Sequence, residues 1–188
     1  AKLVGVVVYG YPLAQIVDRA GVVIVFMGDS VGVNMWGQQS ELEVTLDQML
    51  LVCKAVRRGV KRALVSCDVP YGPLQQSTDA AVRAAVYLME NGGADMLKLD
   101  AASDYPDAVR AITRAGIPVW AQFGITPHTY RGTGEGGRGT DAFVAEAKLL
   151  ERAGAVMLDF THSGPVAGPA VTGAVSIPVI GGLGGGPW

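Results

Sequence analysis

One junction recurs along this chain: a helix-length amphipathic stretch ends in Ala-Gly or Gly-Gly, and a short apolar, β-branched run follows. It stands at Ala20-Gly21, Gly92-Gly93, Ala115-Gly116 and Ala153-Gly154. Glycine ends a helix at low cost because it accepts the left-handed conformation. Repeated helix-to-strand joints of this type call for βα units with parallel strands covered on both faces. Strands are predicted over Val4 to Tyr9, Val22 to Met27, Ala63 to Cys67, Met96 to Leu99, Ile117 to Ala121, Ala155 to Leu158 and Pro178 to Gly181. Helices are predicted from near Pro12, Thr45, Ser77, Pro106, Asp141 and Pro165. Thr45-Leu46-Asp47-Gln48 has the form of a capping box, and Pro106 suits a first helical turn. Seven βα units in succession predict a (β/α)8 barrel rather than an open doubly wound sheet. An eighth unit is missing, and 188 residues is short against the roughly 250 usual for that barrel. We therefore read residues 1–188 as a single barrel domain, incomplete at its C-terminus.

Composition narrows the function. With 49% hydrophobic residues and 15 basic against 17 acidic groups, the chain can bury one sizeable core and has no electrostatic bias toward nucleic acid. No apolar stretch reaches the roughly 20 residues of a membrane span, and the start lacks a signal-peptide pattern. A cytoplasmic protein without membrane or nucleic-acid partners is expected. Cys53 and Cys67 lie in apolar segments without metal-ligand spacing and read as buried thiols.

In such a barrel the C-terminal strand ends meet on one face, where catalysis is found. Those ends supply Tyr9, Asp29 with Ser30, Asp68, Lys98 with Asp100, Gln122, Asp159 and the glycines from Gly181 on. Strand alternation puts Lys98 with Asp100, and Ser66 with Asp68, on shared faces. Carboxylates gathered there repel one another and lose hydration unless a cation compensates. Asp and hydroxyl donors without Cys or His pairs point to Mg2+ before Zn2+. The plainer alternative is a set of loop acids, with Asp29 turning the chain and Lys98 paired to Asp100. His128 and His162 follow strand ends and are weaker candidates. Trp36 is either a lid aromatic or a subunit contact. The glycine-dense stretch 131–139 reads as a mobile loop, and the glycines of 181–186 as a weak phosphate-loop signal lacking a nearby cation.

These residues resemble the ketopantoate hydroxymethyltransferase family, of the phosphoenolpyruvate/pyruvate barrel superfamily. The matching stretches are Tyr9-Gly10-Tyr11-Pro12, Gly28-Asp29-Ser30-Val31-Gly32, Val44-Thr45-Leu46-Asp47-Gln48-Met49, Arg58-Gly59-Val60-Lys61-Arg62-Ala63, Cys67-Asp68-Val69-Pro70-Tyr71-Gly72, Gly92-Gly93-Ala94-Asp95, Lys98-Leu99-Asp100, Gly124-Ile125-Thr126-Pro127 and Ile177-Pro178-Val179-Ile180-Gly181. The resemblance implies a Mg2+ enzyme that moves a one-carbon unit from 5,10-methylenetetrahydrofolate onto the enolate of 3-methyl-2-oxobutanoate. By position it makes Asp29 and Asp68 metal ligands and Asp100 the completion of the metal site. Ser30, Lys98 and Gln122 become substrate contacts, with Asp29 and Asp68 beside them. Lys98 then supports the enolate oxygen, and Asp159 acts as catalytic base. It also implies a homo-oligomer.

The chain departs from the family at Asp100 and Asp159, where glutamates are usual, and at Gln122, where a histidine is. Gly10 replaces an aspartate, and Gly37-Gln38-Gln39-Ser40 differs from the usual Gly-Tyr-Asp-Ser. A folate-independent 2-oxoacid aldolase or lyase of the same superfamily, and a non-catalytic barrel, are the competing expectations.

Overall fold

A computed structural model describes residues 3–126, 139–162 and 164–182. Seven strands alternate with helices in the expected order: β1 (Gly5–Val7), β2 (Ile24–Met27), β3 (Leu64–Asp68), β4 (Met96–Leu99), β5 (Val119–Gly124), β6 (Met157–Thr161) and β7 (Val179–Gly182). The chain divides into two compact units, Ala1–Lys98 and Leu99–Trp188.

In the first unit β1, β2, β3 and β4 pair in sequence, all parallel. The helices between them are α1 (Tyr11–Arg19), α2 (Val31–Trp36), α3 (Leu46–Gly59), α4 (Tyr71–Gln76) and α5 (Thr78–Gly92). The predicted capping box starts α3: Thr45 Oγ1 accepts the Gln48 amide at 3.3 Å, and Gln48 Oε1 accepts the Thr45 amide at 2.8 Å. The helix then buries Met49, Val52, Cys53 and Val56, a spacing that lays one apolar stripe on the sheet. Ser77 caps α5 through the Ala80 amide at 3.1 Å, and α3 packs between α1 and α5. Both cysteines are buried and free of disulfides. A hydrogen bond with Cys53, reinforced by burial, pushes the Cys67 thiol well up, which keeps it protonated and inert.

Two acids serve the fold at the entry ends of these strands. The buried Asp18 carboxylate accepts the amides of Lys61 (3.1 Å), Arg62 (2.9 Å) and Ala63 (2.8 Å), clamping the turn into β3. Asp95 Oδ2 accepts the Val65 amide at 2.8 Å and the Arg57 guanidinium at 3.1 Å.

In the second unit β5 pairs with β6 and β6 with β7, again parallel. Its helices are α6 (Pro106–Arg114), α7 (Thr140–Ala153) and α8 (Gly164–Ala174), packed in succession. Phe123 and Phe160 stack with ring centroids 4.7 Å apart, and Phe143 closes on Phe160 at 5.0 Å. The four predicted helix-to-strand joints place Gly21, Gly93, Gly116 and Gly154 at positive φ.

The six-residue helices α2 and α4 are additions to the sequence-based expectation, as are 3-10 turns at Glu41–Glu43 and Ala102–Asp104. Several strand bounds also move. β5 and β6 start two residues later than expected and run three further, to Gly124 and Thr161. The predicted mobile loop lies outside the described residues except for Gly139, as do His128 and the glycines beyond Gly182.

Candidate active site

In the first unit the polar residues of the strand ends share one face. Register pairs Phe26 with Ser66, Ser66 with Met96, and Asp68 with Lys98. Since alternate residues share a face, Phe26, Ser66, Asp68 and Lys98 all look the same way. Asp68 and Lys98 are 3% and 5% exposed, and Asp29, in the turn after β2, is 5% exposed.

Lys98 Nζ lies 3.7 Å from Asp68 Oδ2 and 5.9 Å from the centre of the Phe26 ring. The Asp29 amide donates to the same Asp68 oxygen at 3.4 Å. The ammonium thus rests over an aromatic face with a carboxylate at its tip, an arrangement that offsets part of the cost of burying it. Ser66 Oγ, fully buried on this face, has no hydrogen-bond partner among the described residues.

Gly28 lets Ser30 and Asp68 approach the backbone closely. A Cβ there would lie 2.9 Å from Ser30 Oγ and 3.3 Å from Asp68 Oδ2. Ser30 occupies the N-cap position of α2 but makes no capping bond with its side chain. Its hydroxyl is instead 2.7 Å from the Tyr9 hydroxyl. Asn34 Nδ2 reaches Tyr9 Oη at 3.2 Å and the Ser30 carbonyl oxygen at 2.9 Å. Asn34 carries no motif signal in the sequence. Only the α2 turn, which returns residue 34 over residue 30, brings it to the site.

In the second unit Asp100 follows β4. It is 4% exposed, and its Oδ1 accepts the amide of Ala101, a non-glycine residue at φ 51°. Gln122 on β5 and Asp159 on β6 are register partners, so their side chains stand side by side on one face. Gln122 Nε2 donates to Thr161 Oγ1 at 2.9 Å, and Asp159 is half-buried. His162 is exposed, at φ 56°.

The structure therefore brings together Asp29, Ser30, Asp68 and Lys98 within one unit, and Gln122 with Asp159 within the other. Among the described residues no three His, Cys, Asp or Glu side chains form a ready-made metal cage. Two buried carboxylates still suit a hard cation, because Mg2+ is commonly held by one or two carboxylates and completed by water and substrate oxygens.

The family model of ketopantoate hydroxymethyltransferase matches residues 1–188. The chain belongs to this family. A relative in Pyrococcus furiosus, named 3-methyl-2-oxobutanoate hydroxymethyltransferase, is 40% identical over 100% of this chain and 68% of its own length. A relative of the same name in Thermococcus kodakarensis is 39% identical over 99% and 67%. Among solved structures, phosphonopyruvate hydrolase superposes with a TM-score of 0.76 at 13% identity, covering 95% of this chain and 66% of that one. 2,3-Dimethylmalate lyase, a PEP mutase/isocitrate lyase superfamily member, superposes with a TM-score of 0.67 at 17% identity, covering 95% and 65%. At such identities the likeness is one of fold. This family member has the (β/α)8 barrel fold, with six βα units and a seventh strand among the described residues.

Proposed function

We propose that the chain transfers a hydroxymethyl group from 5,10-methylenetetrahydrofolate to 3-methyl-2-oxobutanoate, giving ketopantoate, with Mg2+ bound. The observation that carries this reading is the buried face in which Lys98 stands 3.7 Å from Asp68 beside Asp29 and Ser30, in a chain of this family. Asp29 and Asp68 would hold the cation, with Asp100 as the third acid that the resemblance implies. When bound, Mg2+ supplies Lewis-acid polarisation of the substrate ketone.

The side chains account for the rest. Ser30 donates a hydrogen bond to the substrate carboxylate. Lys98 places positive charge where the enolate oxygen develops, and its burial strengthens that interaction. Asp159 removes the proton from C3 as general base, and Gln122, held by Thr161, orients the 2-oxoacid by hydrogen bonding. The C3 carbon then bonds the one-carbon unit, water supplies the hydroxyl oxygen and tetrahydrofolate leaves. The reaction is expected in the cytoplasm, in a homo-oligomer.

One feature favours a second reading. Asp159 and Asp100 are one methylene shorter than the family's glutamates, and Gln122 cannot titrate as its histidine can, so a folate-independent 2-oxoacid aldolase or lyase is the alternative. Both are tested by incubating the protein in D2O with Mg2+ and 3-methyl-2-oxobutanoate, following deuterium at C3 by NMR, then adding 5,10-methylenetetrahydrofolate. Exchange followed by ketopantoate is expected. Exchange without that product favours the alternative, and no exchange overturns both.

A further inference from the structure

Ser30 can serve an anionic substrate only if its hydroxyl proton is available. The bonds around it decide where that proton points. The Ser30 carbonyl can only accept, so the atom 2.9 Å from it on the Asn34 amide must be Nδ2. The same nitrogen, a pure donor, lies 3.2 Å from Tyr9 Oη. The Tyr9 oxygen therefore accepts from Asn34, which leaves its own proton for the 2.7 Å bond to Ser30 Oγ, a bond in which either hydroxyl can be the donor. With Tyr9 as the donor of that bond, Ser30 Oγ accepts from Tyr9 and its own proton is free to turn elsewhere. The Asn34 end of the chain is set by the backbone carbonyl that fixes its amide.

We propose that Asn34 and Tyr9 are positioning residues forming a one-way hydrogen-bond relay that presents Ser30 as a donor to a 2-oxoacid carboxylate. This rests on the role assigned to Ser30 above. Neither residue touches substrate. The relay matters because a bond from a neutral hydroxyl to a carboxylate is among the stronger ones, and a serine whose proton is committed to Tyr9 cannot make it.

Polarity makes the relay testable. In Asn34→Asp the donor becomes an acceptor of nearly the same shape. Tyr9 must then donate to the new carboxylate, and its oxygen becomes an acceptor that draws the Ser30 proton. Loss of one charge-assisted bond corresponds to about a tenfold weakening or more. The measurement is the calorimetric Kd for oxalate, a minimal 2-oxoacid mimic, with Mg2+ present, on the whole chain and on Asn34→Asp, Asn34→Ala, Tyr9→Phe and Asn34→Asp/Tyr9→Phe. Steady-state constants for 3-methyl-2-oxobutanoate are taken alongside.

The expected pattern is a roughly tenfold rise in Kd and KM for Asn34→Asp with kcat changed less than twofold. Asn34→Ala and Tyr9→Phe have smaller effects, about threefold. Most of the Asn34→Asp penalty vanishes in the Tyr9→Phe background, because no hydroxyl remains to be reversed. An equal penalty with and without the Tyr9 hydroxyl means that the added charge alone acts, and overturns the relay. An Asn34→Asp protein that binds oxalate as the parent does overturns it as well. If the oxalate pattern holds while no ketopantoate forms, the relay stands and the assigned transferase reaction falls.

Discussion

Replacing Asp18 by alanine removes the acceptor of three backbone amides, and the structure sets how much that costs. Lys61 and Arg62 are exposed, so water can take over their amides once the carboxylate is gone. Ala63 is buried, with 8% of its surface accessible, and its 2.8 Å bond has no such replacement. A bond to a charged acceptor contributes about 1.5 to 3 kcal/mol, and a stranded buried donor costs a similar amount. The loss should therefore be about 2 to 3 kcal/mol, well below the sum of three full bonds. The bond from the Ala63 amide, chief among those from this turn, holds the Asp18 carboxyl below its ordinary value against the opposing pull of burial. A carboxyl lowered on folding contributes stability that is complete above its unfolded value near pH 4 and is lost as pH falls through the folded value. Urea unfolding of parent and variant at pH 7 should differ by the stated amount, and the difference should shrink below pH 4. Hydrogen exchange of the Ala63 amide should accelerate by one to two orders of magnitude at neutral pH. A variant within about 0.5 kcal/mol of the parent at pH 7, or a difference that persists unchanged in acid, refutes the clamp.

Gly28→Ala should leave the fold intact but push a methyl to within 2.9 Å of Ser30 Oγ. KM for the 2-oxoacid is expected to rise at least tenfold while thermal stability moves by less than about 1 kcal/mol; an unchanged KM would mean that this space is not used. Lys98→Met removes the charge but keeps the stem. It should cost about a hundredfold or more in kcat/KM and remove the charge 3.7 Å from the buried Asp68 carboxylate, so stability should also fall, by about 3 kcal/mol, read by urea unfolding. Ser66→Ala deletes a buried hydroxyl with no described partner and should be neutral or stabilising by up to about 1 kcal/mol, the opposite sign to most core truncations. Cys67, buried and held protonated, should resist a soluble maleimide in the native protein and react only after unfolding, which mass spectrometry distinguishes.

Legibility in the sequence followed from how far each signal depends on chain neighbours. The Thr45–Gln48 box and the glycines closing four helices are local, and they appear where the sequence places them. The short helices α2 and α4 were hidden because six residues show no helical period, and α2 starts just after Asp29, which also reads as a turn residue. The late ends of β5 and β6 were hidden for a chemical reason. Gln122, Asp159 and Thr161 belong to the ladder by their backbones, yet their polar side chains break the apolar pattern that marks a strand. In the first unit alternation alone put Ser66 and Asp68 on one face, and the register of β3 on β4 adds Lys98 to it. The ion pair of Lys98 with Asp68 joins neighbouring strands, a contact that alternation within one strand does not reveal. Asn34 had no local mark, since its part depends on which atom of its amide faces a carbonyl.

The acids of the first unit also differ in which end of the strands they stand at. Asp18 and Asp95, at the entry ends of the strands, are occupied by amides and a guanidinium, and any change there is charged to the fold. Asp29 and Asp68 stand at the exit ends, beside Gly28, whose missing side chain lets Ser30 and Asp68 come close. For protein engineering this separates two alphabets within one residue type. Random libraries confined to positions 28–30 should change ligand binding while sparing the clamps, whereas libraries at 18 and 95 should mostly lower stability.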